Sequence, residues 1–339
     1  MVIRMAQLYV TDSKATIGVA QGRIQVKYPD GLLRTLPIES VEGISIFGQA
    51  QITTGCIGEC LKRGISVQYY SSKGAYFGKL SSTQHVNTRR QKAQAKLSED
   101  KEFSLALAKV ILKAKLNNQI VLLRRYSRTS EINISDEVRT IKILEAKIDG
   151  CRTIPEAIGY EGNAARTYFK GLSLLVNVPK FKFNGRNRRP PKDRFNSMLS
   201  LGYSIMMNEV YGAIEGRGLS PYFGFLHQDR EKHPTLASDL MEEWRPVIID
   251  SIVMSMVNGY EISEDNFYTS EENGGVYFDR AGMRKFVSKI EKRLDKSMKY
   301  LPYIDYPVSF RRAIDLQALQ LCKAIEEGEP HLYQAVIIR

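Results

Sequence analysis

The feature that most constrains this 339-residue chain is a change of hydrophobic period near residue 87. Before it, short apolar runs recur between turn signals: Gln7 to Val10, Thr16 to Ala20, Arg23 to Tyr28, Leu32 to Pro37 and Val41 to Phe47. Runs of this length, bounded by turn residues, read as strands. Asp30 and Gly31 mark a hairpin between two of them, because that turn needs residues tolerant of positive φ. A helix-like stretch from Ile52 to Lys62, stopped by Gly64, precedes two further strand-like runs, Ile65 to Tyr70 and Ala75 to Leu80. The expectation is one crossover inside an otherwise hairpin-built sheet.

Beyond residue 87 the apolar spacing becomes three to four residues. Leu105, Ala108, Leu112, Leu116, Ile120 and Leu123 form one stripe within a helix from Phe103 to Arg125. Further helices are expected over Ser135 to Asp149, Ile154 to Asn177, Arg194 to Glu215, Thr235 to Asn258, Arg280 to Tyr300 and Ser309 to Glu327. Gly274 and Gly275, followed by Val276 to Phe278, read as a small hairpin. The chain is therefore read as α+β: a small β-rich domain over 1–86 and a larger α-helical domain over 87–339.

Charge narrows the partner. With 49 Lys plus Arg against 37 Asp plus Glu, the formal charge is +12. No run approaches the roughly 18 apolar residues of a membrane span, and the start, Met1 to Val10, mixes polar and apolar residues too evenly for a signal peptide. A cytoplasmic protein with an anionic partner is expected. Cys56 and Cys60 lie four apart while Cys151 and Cys322 stand alone, so four buried thiols are expected rather than a zinc knuckle. Lys180 to Arg194 holds seven basic residues and one acid, with Phe181 and Phe183 interleaved. Pro190 and Pro191 forbid a regular helix there. Basic side chains suit phosphates and aromatics suit unstacked bases, so this loop reads as a nucleic-acid contact, with a solvated linker as the alternative. A second basic tract runs along helices from Arg89 to Arg128 and includes Lys115; alone it reads as a solvated face, and beside the loop as a second nucleic-acid contact surface.

Three segments carry candidate chemistry. Glu161 lies between Gly159 and Gly162, which leave room for a backbone or ligand to approach. His227 ends an apolar, Gly/Pro-punctuated run from Leu219. Asp239 and Glu242 are three apart and share a helix face, although Asp239 could simply cap that helix. Carboxylates with an imidazole suit Mg²⁺ or Mn²⁺. No Ser–His–Asp or Cys–His arrangement competes with them.

In order, GYEGNAARTYF (159–169), NGRNRRPPKDRFNSMLSLGYSIM (184–206), GLSPYFGFLHQ (218–228) and LASDLMEEWRPVIID (236–250) resemble the CRISPR-associated spacer-acquisition integrase family, the larger of the two universal adaptation proteins. The resemblance implies a sandwich-like N-terminal domain used for dimerisation, an α-helical catalytic domain, a homodimer and a small ferredoxin-like partner protein. It implies a divalent metal held by Glu161, His227 and Glu242, with Asp239 beside the site. Many relatives have Asp where this chain has Glu242, so Asp239 and Glu243 stay open as the third ligand. The implied activity is insertion of short double-stranded DNA, a spacer precursor, into the CRISPR repeat by metal-dependent transesterification, with endonuclease activity when water replaces the attacking hydroxyl. Arg186, Arg188, Arg189, Lys192 and Arg194 are the expected DNA contacts. A non-catalytic DNA-binding scaffold and a metal-dependent phosphoesterase of small nucleotides are the alternatives.

Overall fold

The computed structural model describes residues 6–301 and 303–338. Of the segment weighed above as a signal peptide, Met1 to Met5 lie outside the described residues. The chain divides into two compact units, Met1–His85 and Val86–Arg339.

The first unit contains β1 (Ala6–Val10), β2 (Thr16–Ala20), β3 (Arg23–Lys27), β4 (Leu33–Pro37), β5 (Val41–Phe47), β6 (Gln51–Ile52), α1 (Thr54–Arg63), β7 (Ser66–Tyr70) and β8 (Tyr76–Leu80). They form two four-stranded sheets, ordered β1-β5-β7-β8 and β4-β3-β2-β6. Ile17, Ile24 and Val26 of one sheet share an apolar core with Val10, Ile44, Ile46 and Val67 of the other and with Cys56 and Cys60 of α1. The β3–β4 hairpin turns at Gly31, whose φ is +84°, and α1 ends at Gly64 in the left-handed conformation. One expectation is corrected. β1 and β5, β5 and β7, and β2 and β6 pair in parallel, so the sheets are not hairpin-built with a single crossover. Apolar runs announce strands but carry no information about partners; β5, the most buried run, became a central strand with parallel neighbours on both sides.

The second unit contains α2 (Thr88–Glu99), α3 (Lys101–Ser127), α4 (Ser135–Ile148), α5 (Ile154–Leu175), α6 (Arg194–Gly216), α7 (Thr235–Trp244), α8 (Ser251–Asn258), a hairpin of β9 (Phe267–Thr269) and β10 (Val276–Phe278), α9 (Arg280–Leu294), a short pair β11 (Ser297–Met298) and β12 (Val308–Ser309), and α10 (Phe310–Glu327). At 27 residues α3 is about 40 Å long. It packs against α4, α5 and α7. Asp100 separates it from α2 and caps it, accepting from the Glu102 and Phe103 amides at 2.9 and 3.0 Å.

Two expected helices change shape. Thr235 to Asn258 is broken by a π-helical turn over Arg245–Asp250, where Pro246 has no N–H to donate and the i→i−4 ladder cannot continue. Such turns concentrate at functional sites. The helix expected to Tyr300 stops at Leu294, where the chain turns out to form the β11–β12 pair. No helix among the described residues is long and apolar enough to cross a membrane.

α6 lies against the π-helical turn through Gly202, where a Cβ would stand 2.5 Å from Ile249 Cγ2 and 3.3 Å from Phe286 Cζ. Alanine is the better helix former by about 1 kcal/mol, but overpacking there outweighs it. Gly202→Ala is expected to lower stability by about 1–3 kcal/mol, read as a lower midpoint in chemical denaturation. An unchanged midpoint would mean that the turn yields freely.

Candidate active site

At the turn of α3 where Ala114, Lys115 and Leu116 are all buried, the helix has little solvent-facing side. A lysine there needs anions brought to it, because a buried ammonium without partners is costly. α5 supplies the first. Its inward stripe runs Ala157, Glu161, Ala164, Tyr168 and Leu172, and Glu161 Oε1 lies 2.5 Å from Lys115 Nζ. α7 supplies the second: Glu242 Oε2 lies 2.6 Å from the same nitrogen. This oxygen is buried and lacks a directed hydrogen bond despite its closeness to the charge. Arg245, one turn on, places Nη2 3.2 Å from Glu242 Oε1. Burial by itself works against both charges. The neighbours outweigh it: Glu242 and Glu161 hold Lys115 above its ordinary value, and Arg245 and Lys115 hold Glu242 well below the usual carboxylate range.

His227 sits on the loop before α7, facing Asp239. Its Nδ1 is 2.7 Å from Asp239 Oδ1, and Asp239 also accepts from the backbone amides of Phe225, Leu226 and His227 at 2.7, 3.0 and 3.1 Å. Asp239 lies inside α7 rather than at its start, so it does not cap the helix; it fastens the loop to it. Gly224 permits that approach, since a Cβ there would stand 2.4 Å from Thr235 Cγ2 and 2.8 Å from Asp239 Oδ2. Gln94 of α2, fully buried, ties the loop from outside by donating to Ser220 O and Phe223 O at 2.8 and 2.9 Å. Burial alone would lower the His227 pKa, but the Asp239 hydrogen bond and charge, with Glu242 beyond, hold it above its ordinary value. With Nδ1 engaged by Asp239, Nε2 is the nitrogen left to bind another group.

The donor set therefore fits a hard divalent ion: a Glu161 oxygen, the undirected Glu242 Oε2 and His227 Nε2. As placed, however, no three His, Cys, Asp or Glu side chains among the described residues close on a common metal position. The carboxylates close on Lys115 instead. Sequence reading had put Lys115 on a DNA-binding face, and the structure corrects this. Gly159 and Gly162 meet nothing within 4 Å, so no backbone approaches Glu161 there and its flank is open.

Against this geometry the comparisons are decisive. The family described as CRISPR associated protein Cas1 matches residues 8–292. The chain belongs to the Cas1 family. A Mycobacterium tuberculosis H37Rv protein named CRISPR-associated endonuclease Cas1 is 38% identical over 326 residues, covering 96% of both chains. A Methanospirillum hungatei protein, CRISPR-associated endonuclease Cas1 4, is 33% identical over 94% of this chain and 87% of its own. Among solved structures, a casposase bound to integration product superposes with TM-score 0.85 at 26% identity, covering 96% of this chain and 92% of that one. The Thermotoga maritima CAS1 protein shares the fold, with TM-score 0.83 at 23% identity over 96% of this chain and 98% of that one.

Two further acids beside this Cas1-family site are structural. Glu243 turns away from Glu242 and accepts from Tyr333 OH at 2.6 Å and the Val336 amide at 2.7 Å; burial pushes its carboxyl up to about 8. Asp250, at the end of the π-helical turn, accepts from Tyr168 and Tyr203 hydroxyls at 2.6 and 2.5 Å. Tyr203 also lies under the Arg245 guanidinium, 4.7 Å from the ring centre. A chain of contacts thus runs from Glu242 through Arg245 and Tyr203 to Asp250, and sequence reading missed it because none of these residues is unusual alone.

The basic loop is corrected in part. Arg186 turns inward, donating to Asn196 Oδ1 at 2.9 Å and Ser200 Oγ at 3.1 Å while stacking on Tyr203. Arg194 donates to Lys180 O at 3.1 Å and lies 3.4 Å from Glu264. Phe181 and Phe183 are buried, the latter stacked on Phe195, and have no face for a base. Arg188, Arg189 and Lys192 keep exposed side chains. At the junction of α3 and α4, Arg124, Arg128, Arg139 and Lys142 line an open cleft of about 600 Å³; the last two had not been singled out in the sequence.

Asp250 supplies a pH test. Burial raises its pKa from 3.8 to about 6. The folded state therefore holds a proton that the unfolded chain has released, and the stability this group contributes is full below about 3.8 and lost as pH rises through about 6. Asp250→Asn is expected to remove that loss, so the melting temperature of the variant relative to wild type rises between pH 4 and pH 7. A pH-independent difference would contradict the raised pKa.

Proposed function

We propose that this chain is a CRISPR adaptation nuclease and integrase that joins short double-stranded DNA to the CRISPR repeat by metal-dependent transesterification. The observation that carries the reading is the meeting of Glu161 and Glu242, from two helices far apart in sequence, about one buried cation position beside an Asp239-oriented imidazole. Family membership, relatives named as endonucleases and the fold shared with a casposase bound to its integration product support it. Mg²⁺ or Mn²⁺ held by Glu161, Glu242 and His227 would polarise the scissile phosphate and help a 3′-hydroxyl to attack.

The chain's own residues do the rest. Asp239 fixes the His227 ring and its tautomer, and Arg245 holds Glu242 in one rotamer. Arg188, Arg189 and Lys192 present charge to the DNA backbone, with the Arg124–Lys142 cleft as a second contact. The proposed partners are a second copy of this chain, paired through its β-rich unit, and a small ferredoxin-like adaptation protein. The fold also matches 36% of one chain in a solved structure described as a Cas6-RT-Cas1–Cas2 complex.

The direct test is strand transfer of a short duplex into a repeat-bearing plasmid. EDTA is expected to abolish it, and Mg²⁺ or Mn²⁺ to restore it. Asp239→Asn is expected to cost about 10–100-fold, as partners that orient a metal ligand do, and Glu161→Gln, His227→Ala and Glu242→Gln to cost more. Full activity in chelator would end the metal reading, and a fully active Glu242→Gln protein would remove that ligand.

The basic loop has a separate test. Replacing Arg188, Arg189 and Lys192 together by Ala is expected to make the log–log salt slope of duplex binding shallower by about 2–3 units, at roughly 0.9 per phosphate contact. Adding Arg186→Ala is expected to lower stability without further change in slope. An unchanged slope in the triple variant would place the DNA path along α3 and α4 instead.

A further inference from the structure

Lys115 does not behave like the other cations of its helix. Lys113, two residues earlier, reaches the surface and pairs with Asp149 at 2.8 Å. Lys115 is buried, with only 10% of its side chain exposed, and its nitrogen lies 2.5 Å from Glu161 and 2.6 Å from Glu242. These are the two carboxylates that the proposed function assigns to a divalent ion. Mg²⁺ binds oxygens at about 2.0–2.1 Å. An ion bonded to both carboxylates on the side facing the ammonium would therefore overlap it.

Charge counting leads to the same place. Lys115 and Arg245 together balance Glu161 and Glu242, leaving the cluster neutral. Adding a divalent ion while Lys115 stays would add two positive charges to a buried site. If Lys115 departs, the net gain is one. Lysine suits such a role, since its compact charge rides on a flexible stem. The Glu242 Oε2 atom lies 2.6 Å from the ammonium but outside good hydrogen-bond geometry, so the contact is mainly one of charge, which another cation can supply.

We propose that Lys115 is a resident counter-ion that occupies the metal position in the metal-free protein and is displaced when a divalent cation binds. Metal loading is then an exchange of one cation for another. The lysine keeps two buried carboxylates from repelling each other before metal arrives, and it weakens metal binding by competing for the same oxygens. This inference rests on the metal-binding reading of the site and deepens it.

The test measures Mn²⁺ binding to the full chain without DNA, by calorimetry and by electron paramagnetic resonance, for wild type, Lys115→Met, Lys115→Arg and Glu242→Gln. Lys115→Met is expected to bind Mn²⁺ at least tenfold more tightly than wild type. It is also expected to melt at a lower temperature in EDTA and to gain more on Mn²⁺ addition. Lys115→Arg, which keeps the charge, is expected to stay within about threefold of wild type. A folded Lys115→Met protein that binds Mn²⁺ no more tightly than wild type would overturn the exchange while leaving the metal site standing. If wild type and Glu242→Gln titrate identically, the metal-binding reading itself falls and takes the exchange with it.

A second measurement covers a Lys115→Met protein that does not fold. Wild type is treated with an amine-reactive reagent in EDTA or in saturating Mg²⁺, and labelling of Lys115 is read by peptide mass spectrometry. Labelling at least fivefold faster with Mg²⁺ supports displacement; equal rates overturn it.

Discussion

A buried ammonium between two carboxylates is the interaction on which the helical unit depends. Lys115 lies on the most enclosed turn of α3, and a charge taken out of water must be paired or it shifts or destabilises the fold. α5 and α7 answer that demand by presenting Glu161 and Glu242 from two separate helices later in the chain. Breaking such a pair by removing one partner costs about 3–5 kcal/mol, because it strands the other charge. The same pairing that the helices need for stability gathers the acids of the proposed phosphoryl-transfer site. Structure and chemistry draw on one set of contacts.

Around this centre, polar groups do the positioning that apolar packing cannot. Asp239 fastens three consecutive backbone amides and an imidazole, so the His227 loop is held by four contacts to one carboxylate. Gln94 holds the same loop from α2. Asn118, on the turn of α3 after Lys115, donates to Glu243 O and Val336 O and so ties α7 and the C-terminal segment to the central helix. The π-helical turn carries both Arg245, which lies over the Tyr203 ring, and Asp250, which accepts from the Tyr203 hydroxyl. A carboxylate beside two hydroxyls and two guanidiniums is thereby kept next to the site without entering it.

The surface charge sorts in a way that a count of basic residues conceals. Within Lys180 to Arg194, Lys180 pairs with Glu264 at 3.3 Å, and Lys182 donates to carbonyls in the last turn of α5, at Ser173 and Leu174; Arg186 and Arg194 are committed to the fold. What remains available to an anionic partner is a smaller set, Arg188, Arg189 and Lys192. It is joined by the cations that line the α3–α4 cleft, where Arg139 and Lys142 come from a helix outside either basic tract.

The sequence by itself determined the division into a strand-period half and a helix-period half and most helix and strand spans, and it supplied the four residues on which the proposed site rests. These are local or pattern properties: apolar period, turn-tolerant residues, and acids or an imidazole set in characteristic blocks. Tertiary structure decided the rest, for stated reasons. Strand partners depend on which runs share a core, so β1, β5 and β7 became parallel neighbours. Whether a lysine, arginine or phenylalanine faces water depends on what packs over it, so Lys115, Arg186, Phe181 and Phe183 moved from the expected DNA surface to the interior. The roles of Asp239 and Glu242 depend on which atoms lie within about 3 Å, and a spacing of three along a helix leaves that open. Only the packing of α7 against α3 and the His227 loop turned one acid toward the imidazole and the other toward the buried ammonium.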